Sequence, residues 1–228
     1  MAEAASPHYV GHRQRLRDKL IASKQGTLPD YEVMEILLGL ALPRRDTKPL
    51  AKNLITRFGS FSKVVASSPE LLKQVEGVSE SVIATMRLAQ EIGIRMVREQ
   101  VMTQPILSSW MALLDYCRAT MGHITTEQFR VLYLDKKNMV MADELQESGT
   151  VDQVVVYPRE ILKRALLHDA SAVLLVHNHP SGNVTPSKAD IELTKIIIHT
   201  LATISITVHD HVIIGPRGHY SFKSNGLF

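Results

Sequence analysis

At 228 residues the chain has room for one large domain or two small ones, and 45% hydrophobic with 21% charged residues fits a soluble globular protein. One cysteine, Cys117, excludes an intramolecular disulfide and a Cys-rich zinc site, and no apolar run reaches the roughly 20 residues that span a bilayer. The net charge of +3 is uneven: residues 1–100 carry 15 Lys/Arg against 11 Asp/Glu, residues 101–228 carry 11 against 12.

The basic surplus gathers at Arg13, Arg15, Arg17, Lys19 and Lys24. It admits an anionic partner for the N-terminal half, and a solvated helix face accounts for it about as well. The first residues, Met1 to Pro7, lack the basic-then-apolar pattern of a signal peptide, so a cytoplasmic location is expected.

Residues 9–99 read as helical. A helix starting at Asp30, with Asp30 as its cap, carries Val33, Met34, Ile36, Leu37 and Leu38 at helical spacing. A second runs from Lys48 to Phe58 and is stopped by Gly59. Ser68-Pro69-Glu70 opens a third, with Pro at the first helical position, that runs to Val75. After the turn at Gly77-Val78-Ser79, a fourth spans Glu80 to Val97. A domain boundary is expected near Met102-Thr103-Gln104-Pro105, giving a helical domain over 1–102 and a second domain over 103–228.

The second domain opens with a helix from Ser108 to Met121, which places Cys117 in a core rather than at a reactive site. Gln128–Leu134 and Asn138–Met141 read as strands around Asp135-Lys136-Lys137, and Val151 to Tyr157 includes a third. Pro158 starts a helix through Leu167, the apolar run Ala172–Val176 reads as a buried strand, and a helix follows from Lys188 to about Ala202. Ile206–Ile214 and Tyr220–Phe222 are the last strands. Strands interleaved with helices indicate an α/β or α+β domain.

The chemistry concentrates where the run Ala172–Val176 ends. His177 and His179 alternate at the strand end, so both side chains point to one face. A Pro/Ser/Gly loop then leads to Ser187-x-x-Asp190, a helix N-cap pattern that holds Asp190 still. Two imidazoles and one carboxylate are a common catalytic zinc set with a fourth position left for water. Such a site needs a base, and Asp143 to Thr150 offers Glu144 and Glu147. Three residues apart on a strand, the two would face opposite ways, so only one could address a metal. The residues alone do not choose between them. Ser187 caps its helix and still has a hydroxyl proton to give to a developing oxyanion. A second H-x-H pair, His209 and His211, has no suitably spaced carboxylate after it and reads as structural, with a supporting contact across the sheet open to one of them.

His177, His179, Ser187 and Asp190 match H-x-H, seven residues, S-x-x-D, which resembles the JAMM motif of the MPN (JAB) metalloprotease superfamily. The wording His-Asn-His-Pro-Ser-Gly resembles the RadC branch, named for DNA repair, as do Gly149-Thr150-Val151-Asp152, Tyr157-Pro158-Arg159-Glu160, Asp210 to Gly215 and Tyr220-Ser221-Phe222. The resemblance implies a cytidine-deaminase-like mixed sheet flanked by helices, with zinc held by His177, His179, Asp190 and water. It implies a general base at Glu144, from the usual offset to Gly149, and a Ser187 that steadies the tetrahedral intermediate. In related enzymes the scissile bond is an amide, often an isopeptide.

Residues 11–100 resemble the branch's helical N-terminal domain, with a helix-hairpin-helix-like turn around Val75-Glu76-Gly77-Val78-Ser79. Such turns bind DNA phosphates through backbone N–H groups and usually read Gly-hydrophobic-Gly. Here Ser79 replaces the second Gly, and Glu76 and Glu80 flank the turn, so a plain packed αα-hairpin stands beside the DNA-binding reading. Two functions follow. One is a zinc metallohydrolase acting on a peptide or isopeptide bond; the other is a DNA-binding repair or recombination accessory whose metal is structural or regulatory.

Overall fold

The computed structural model describes residues 11–24, 26–148 and 156–228. The third strand expected between Val151 and Tyr157, and the stretch Gly149-Thr150-Val151-Asp152, lie almost wholly outside the described residues. The chain divides into two compact units, 1–92 and 93–228. The division falls inside the helix Glu80–Met102.

The first unit is all helix among its described residues: α1 (His12–Ala22), α2 (Asp30–Ala41), α3 (Lys48–Phe58), α4 (Phe61–Ala66), α5 (Pro69–Lys73) and the start of α6 (Glu80–Met102). Met34 and Leu38 of α2, Leu54 of α3, Val64 of α4, Leu72 of α5 and Met86 of α6 form its core. Asp30 does not cap its own helix. It occupies the first helical position of α2, and its carboxylate accepts from the Phe61 N–H at 2.8 Å, tying α2 to the start of α4. Gly59 ends α3 with φ of 94°, and Ser68 caps α5 by accepting from the Leu71 N–H.

Arg13 and Lys19 are used internally. Arg13 donates to the carbonyls of Leu42, Pro43 and Arg45 after α2, and Lys19 pairs with Glu32 at 2.5 Å. The hairpin turn has Gly77 at φ of 88°, which only glycine adopts freely. Ser79 has a local duty there: its hydroxyl accepts from the Val82 N–H at 3.4 Å, in the first turn of α6.

The second unit is a mixed five-stranded sheet flanked by helices. Its elements are α7 (Trp110–Met121), β1 (Gln128–Leu134), β2 (Val140–Ser148), α8 (Pro158–Leu167), β3 (Ala172–Asn178), α9 (Lys188–Ala202), β4 (Thr207–Ile214) and β5 (His219–Ser221). The strand order is β2-β1-β3-β4-β5; β3 and β4 are parallel, joined through α9, and every other pairing is antiparallel. β3 lies at the centre and is buried along its whole length, as a run of Val and Leu covered on both faces requires.

One face of the sheet packs α7 through Leu113, Leu114, Cys117 and Met121 against Leu132, Leu174 and Val212. Cys117 is 3% exposed, and burial pushes its thiol up to about 12, in keeping with a core residue. The other face packs Ile161 and Ala165 of α8 and Ile197 and Leu201 of α9 against Phe129, Val131, Val173 and Leu175. Among the described residues no helix is long and apolar enough to cross a membrane.

Candidate metal centre

The α8/α9 face of the sheet carries the polar cluster. His177, on β3, pairs in register with Phe129 of β1 and Ile213 of β4, so its ring stands on the side of Phe129 and Leu175. His179 follows the strand, and its backbone N–H still bonds to the Ile214 carbonyl at 2.9 Å. The loop beyond turns at Gly182, with φ of 83°, and packs against Gly215, where a Cβ would meet Val184 at 2.7 Å. That close approach holds residues 182–184 beside the cluster, where the Asn183 carbonyl accepts from His179 Nδ1 at 2.6 Å.

Asp190 reaches the cluster from the first turn of α9. Ser187 and Asp190 form a reciprocal capping box: the Ser187 hydroxyl accepts from the Asp190 N–H at 3.1 Å, and Asp190 Oδ2 accepts from the Ser187 N–H at 2.7 Å. The cap fixes the carboxylate toward the two imidazoles. His177 Nε2 lies 2.9 Å from His179 Nε2 and 3.6 Å from Asp190 Oδ1; His179 Nε2 lies 3.7 Å from Asp190 Oδ2.

The donor set fits a zinc ion. With bonds of about 2.0–2.1 Å, tetrahedral ligands stand roughly 3.3 Å apart, and the three separations bracket that value. The ligand atoms of His177, His179 and Asp190 all fall within 4.8 Å of one another, and burial of the group is nearly complete at His177. A carbonyl has no proton to give, so the bond to Asn183 leaves the His179 proton on Nδ1 and its Nε2 lone pair facing the cluster. Two imidazole nitrogens at 2.9 Å beside a carboxylate call for a cation between them.

Protonation reflects the same surroundings. Burial pushes His177 down to about 4. The neighbouring Asp190 carboxylate raises His179 above its ordinary value. Burial alone would raise the Asp190 carboxyl, but His179, His177 and the Ser187 cap together hold it far below the usual carboxylate range.

Phe129 stacks on His177, with centroids 6.0 Å apart and planes 9° apart, and meets His211 edge-on. Phe222, just past β5, stacks on His211 at 4.5 Å. Nothing in the sequence places either phenylalanine at the site, nor Thr194; Phe222 stands out only within the Tyr220-Ser221-Phe222 stretch. His211 supplies the contact across the sheet that was left open for one of its pair: its Nε2 lies 2.7 Å from His177 Nδ1, and its Nδ1 lies 2.6 Å from the Thr194 hydroxyl. His209 instead bonds the Asn138 side chain at 2.5 Å. The H-x-H pattern is the only sequence signal that pointed at His211.

The strand is not regular between Glu144 and Glu147. The register of β2 against β1 runs Arg130 to Leu145, then Phe129 to Glu147, so Gln146 is an extra, bulged residue. The bulge resets the alternation along β2. Glu147 shares a register row with Phe129 and His177, whereas Glu144 shares one with Val131, Leu175 and His211. The Glu144 carboxylate lies outside the His-His-Asp group. It is paired with Arg164, through Nε at 2.6 Å and through Nη2, and with His168 Nε2 at 2.8 Å. The Arg164 hydrogen bond chiefly holds its carboxyl below the ordinary value. It borders a cleft of about 580 Å³ lined by Glu144, Leu145, Gln146, Glu160 and Arg164. The Ser187 hydroxyl is exposed and, as a cap, is used as an acceptor.

Residues 107–227 match the family model described as a RadC-like JAB domain. A UPF0758 protein of Rhodobacter capsulatus is 50% identical over 212 residues, 93% of this chain and 99% of the relative. A UPF0758 protein of Ruegeria pomeroyi is 49% identical over 221 residues, 96% of this chain and 99% of the relative. The chain therefore belongs to the RadC/UPF0758 family and carries, between β3 and α9, a His177-His179-Asp190 triad of the MPN/JAB type.

Proposed function

We propose that the protein is a zinc-dependent metallohydrolase of the JAMM type that cleaves an amide, in a peptide or isopeptide substrate. The observation that carries this reading is the convergence of His177 Nε2, His179 Nε2 and a capped Asp190 carboxylate. Zinc held by these three supplies Lewis acidity, which acidifies water and polarises a carbonyl oxygen.

The chain's own groups then have distinct duties. Phe129 and Phe222 exclude water from the buried side of the His pair. Glu144 is the base: ionised by its contact with Arg164, it accepts the proton of the attacking water and returns it to the leaving nitrogen. To do so its carboxylate exchanges the Arg164 contact for water. Ser187 keeps its cap as acceptor and donates its free proton to the developing oxyanion.

Glu144→Gln keeps the shape of the side chain and removes its basicity. The expected outcome is zinc content equal to wild type and amide hydrolysis down by about 100-fold or more. Zinc retained with activity unchanged removes Glu144 from the mechanism and moves the search to Glu147, which shares the register row of His177.

A second reading has one observation in its favour. Glu144 is fastened to Arg164 and His168, as a residue without a catalytic duty would be. On that reading the metal is structural or regulatory, and the first unit links the protein to DNA repair or recombination by binding DNA through the Gly77 turn. Salt-sensitive binding of duplex DNA by the full chain supports it; no mobility shift at low salt, with and without zinc, removes it.

A further inference from the structure

Behind the metal ligands lies a continuous line of buried hydrogen bonds that the proposed reaction does not use. The Thr194 hydroxyl sits 2.6 Å from the Asp190 carbonyl oxygen and 2.6 Å from His211 Nδ1; His211 Nε2 sits 2.7 Å from His177 Nδ1. Thr194, His211 and His177 are respectively 2%, 0% and 4% exposed, so water does not interrupt the line.

The line has a polarity that can be worked out from one end. A carbonyl oxygen only accepts, so the short contact between it and the Thr194 oxygen requires the hydroxyl proton to lie between them. Thr194 then has only lone pairs to offer His211, whose Nδ1 must bring its own proton. A neutral His211 with Nδ1 protonated accepts at Nε2, and His177 must donate to it from Nδ1. His177 Nε2, the atom 2.9 Å from His179 Nε2, is left as a lone pair. Reversing the line would place a proton on that atom and exclude a metal.

We propose that Thr194 and His211 are positioning residues that set the tautomer of His177, so that Nε2 is presented unprotonated to the metal. The inference rests on the reading of His177, His179 and Asp190 as the zinc ligands. It goes further, because it makes the start of α9 a two-sided device. The side chain of Asp190 is a ligand, and its backbone carbonyl, through Thr194, fixes the proton of a second ligand on another strand.

The test uses the full chain with Thr194→Val and Thr194→Ser. Val keeps the shape of the buried side chain and removes the hydroxyl, so His211 Nδ1 loses its acceptor and the reversed polarity becomes accessible; Ser restores the hydroxyl. Zinc affinity is read by competition with a chromophoric chelator, and the His177 tautomer by nitrogen-15 NMR of the metal-free protein. The expected result is Nδ1-protonated His177 in wild type, the Nε2-protonated form appearing in the Val variant with zinc bound about 10- to 100-fold more weakly, and both restored by Ser. Equal zinc affinity and an unchanged His177 tautomer in the Val variant overturn the proposal. So does a Ser variant as weak as the Val variant, which would assign Thr194 to packing alone. If wild type binds no zinc at all, the metal reading fails, and the tautomer comparison in the metal-free chains still decides this one.

Discussion

His177 and His179 end β3 with both rings in one cluster, whereas His209 and His211, equally spaced on the neighbouring parallel strand, separate. His211 is fully buried between Phe129 and Phe222 and supports His177, while His209 turns to Asn138. The register explains the difference: Val173 pairs with Val208 and Leu174 with Asp210, so His209 is an extra residue in β4. Counting by twos from Val208, which faces α8 and α9, would have sent His211 to the α7 side; the bulge returns it to the side of His177. A second bulge, at Gln146, interrupts β2 at the sheet edge. His211 thus reaches the candidate centre through a local departure from strand alternation, beside an unbroken β3.

The largest expected effect in breaking this contrast comes from the aromatic wall. Phe222→Ala empties a fully buried site against His211 and is expected to cost about 3–5 kcal/mol, read by chemical denaturation. His211→Ala comes next: it orphans the buried Nδ1 donor of His177, costs about 1–3 kcal/mol and weakens zinc binding, whereas His209→Ala loses one ordinary hydrogen bond, costs about 1 kcal/mol and leaves zinc affinity unchanged. Equal zinc affinity in the two alanine variants would erase the distinction drawn between them. Ser187→Ala removes the cap that steadies Asp190, with a loss of about 1 kcal/mol in stability and zinc retained.

Arg164→Ala probes the other bulged strand and is expected to cost little stability, as exposed ion pairs do. Because Glu144 is held below 4.5, its pairing stabilises the folded state above that pH and is lost as pH falls through the lowered value. The difference between wild type and the variant should therefore be full at neutral pH and shrink below 4.5.

Acid should also loosen zinc in two stages, since protons compete for the same nitrogens. His179, raised above 6.5, takes up the first proton, and His177 the second only near 4. Between those values zinc affinity should fall by one power of ten per pH unit. A two-proton slope throughout would mean that the rings are equivalent.

Much of the centre can be read directly from the chain. The apolar run into His177, the S-x-x-D cap and the span of α9 rest on local rules of burial, alternation and capping, and each is found where those rules put it. The same rules mislead where the backbone slips. Asp143 to Ser148 carries too much charge to announce a strand and resembles a hairpin rim, yet β2 runs through it at the sheet edge. Neither bulge has a glycine or proline to mark it. Phe129 and Phe222 reach the histidines only through the pairing of β1 with β3 and the chain's return after β5, contacts that no local pattern encodes. In the first unit, Asp30 has the look of a cap and serves as one, but for α4 rather than α2.

The central claim is that His177, His179 and Asp190 hold one zinc ion, and elemental analysis of the full chain, purified without added metal or nickel, tests it most directly. Wild type should carry about one zinc per chain and His177→Ala/His179→Ala none, with the fold of both checked by circular dichroism. A folded wild type that takes up no zinc even when the metal is added back, or a double variant that keeps it, would contradict the account.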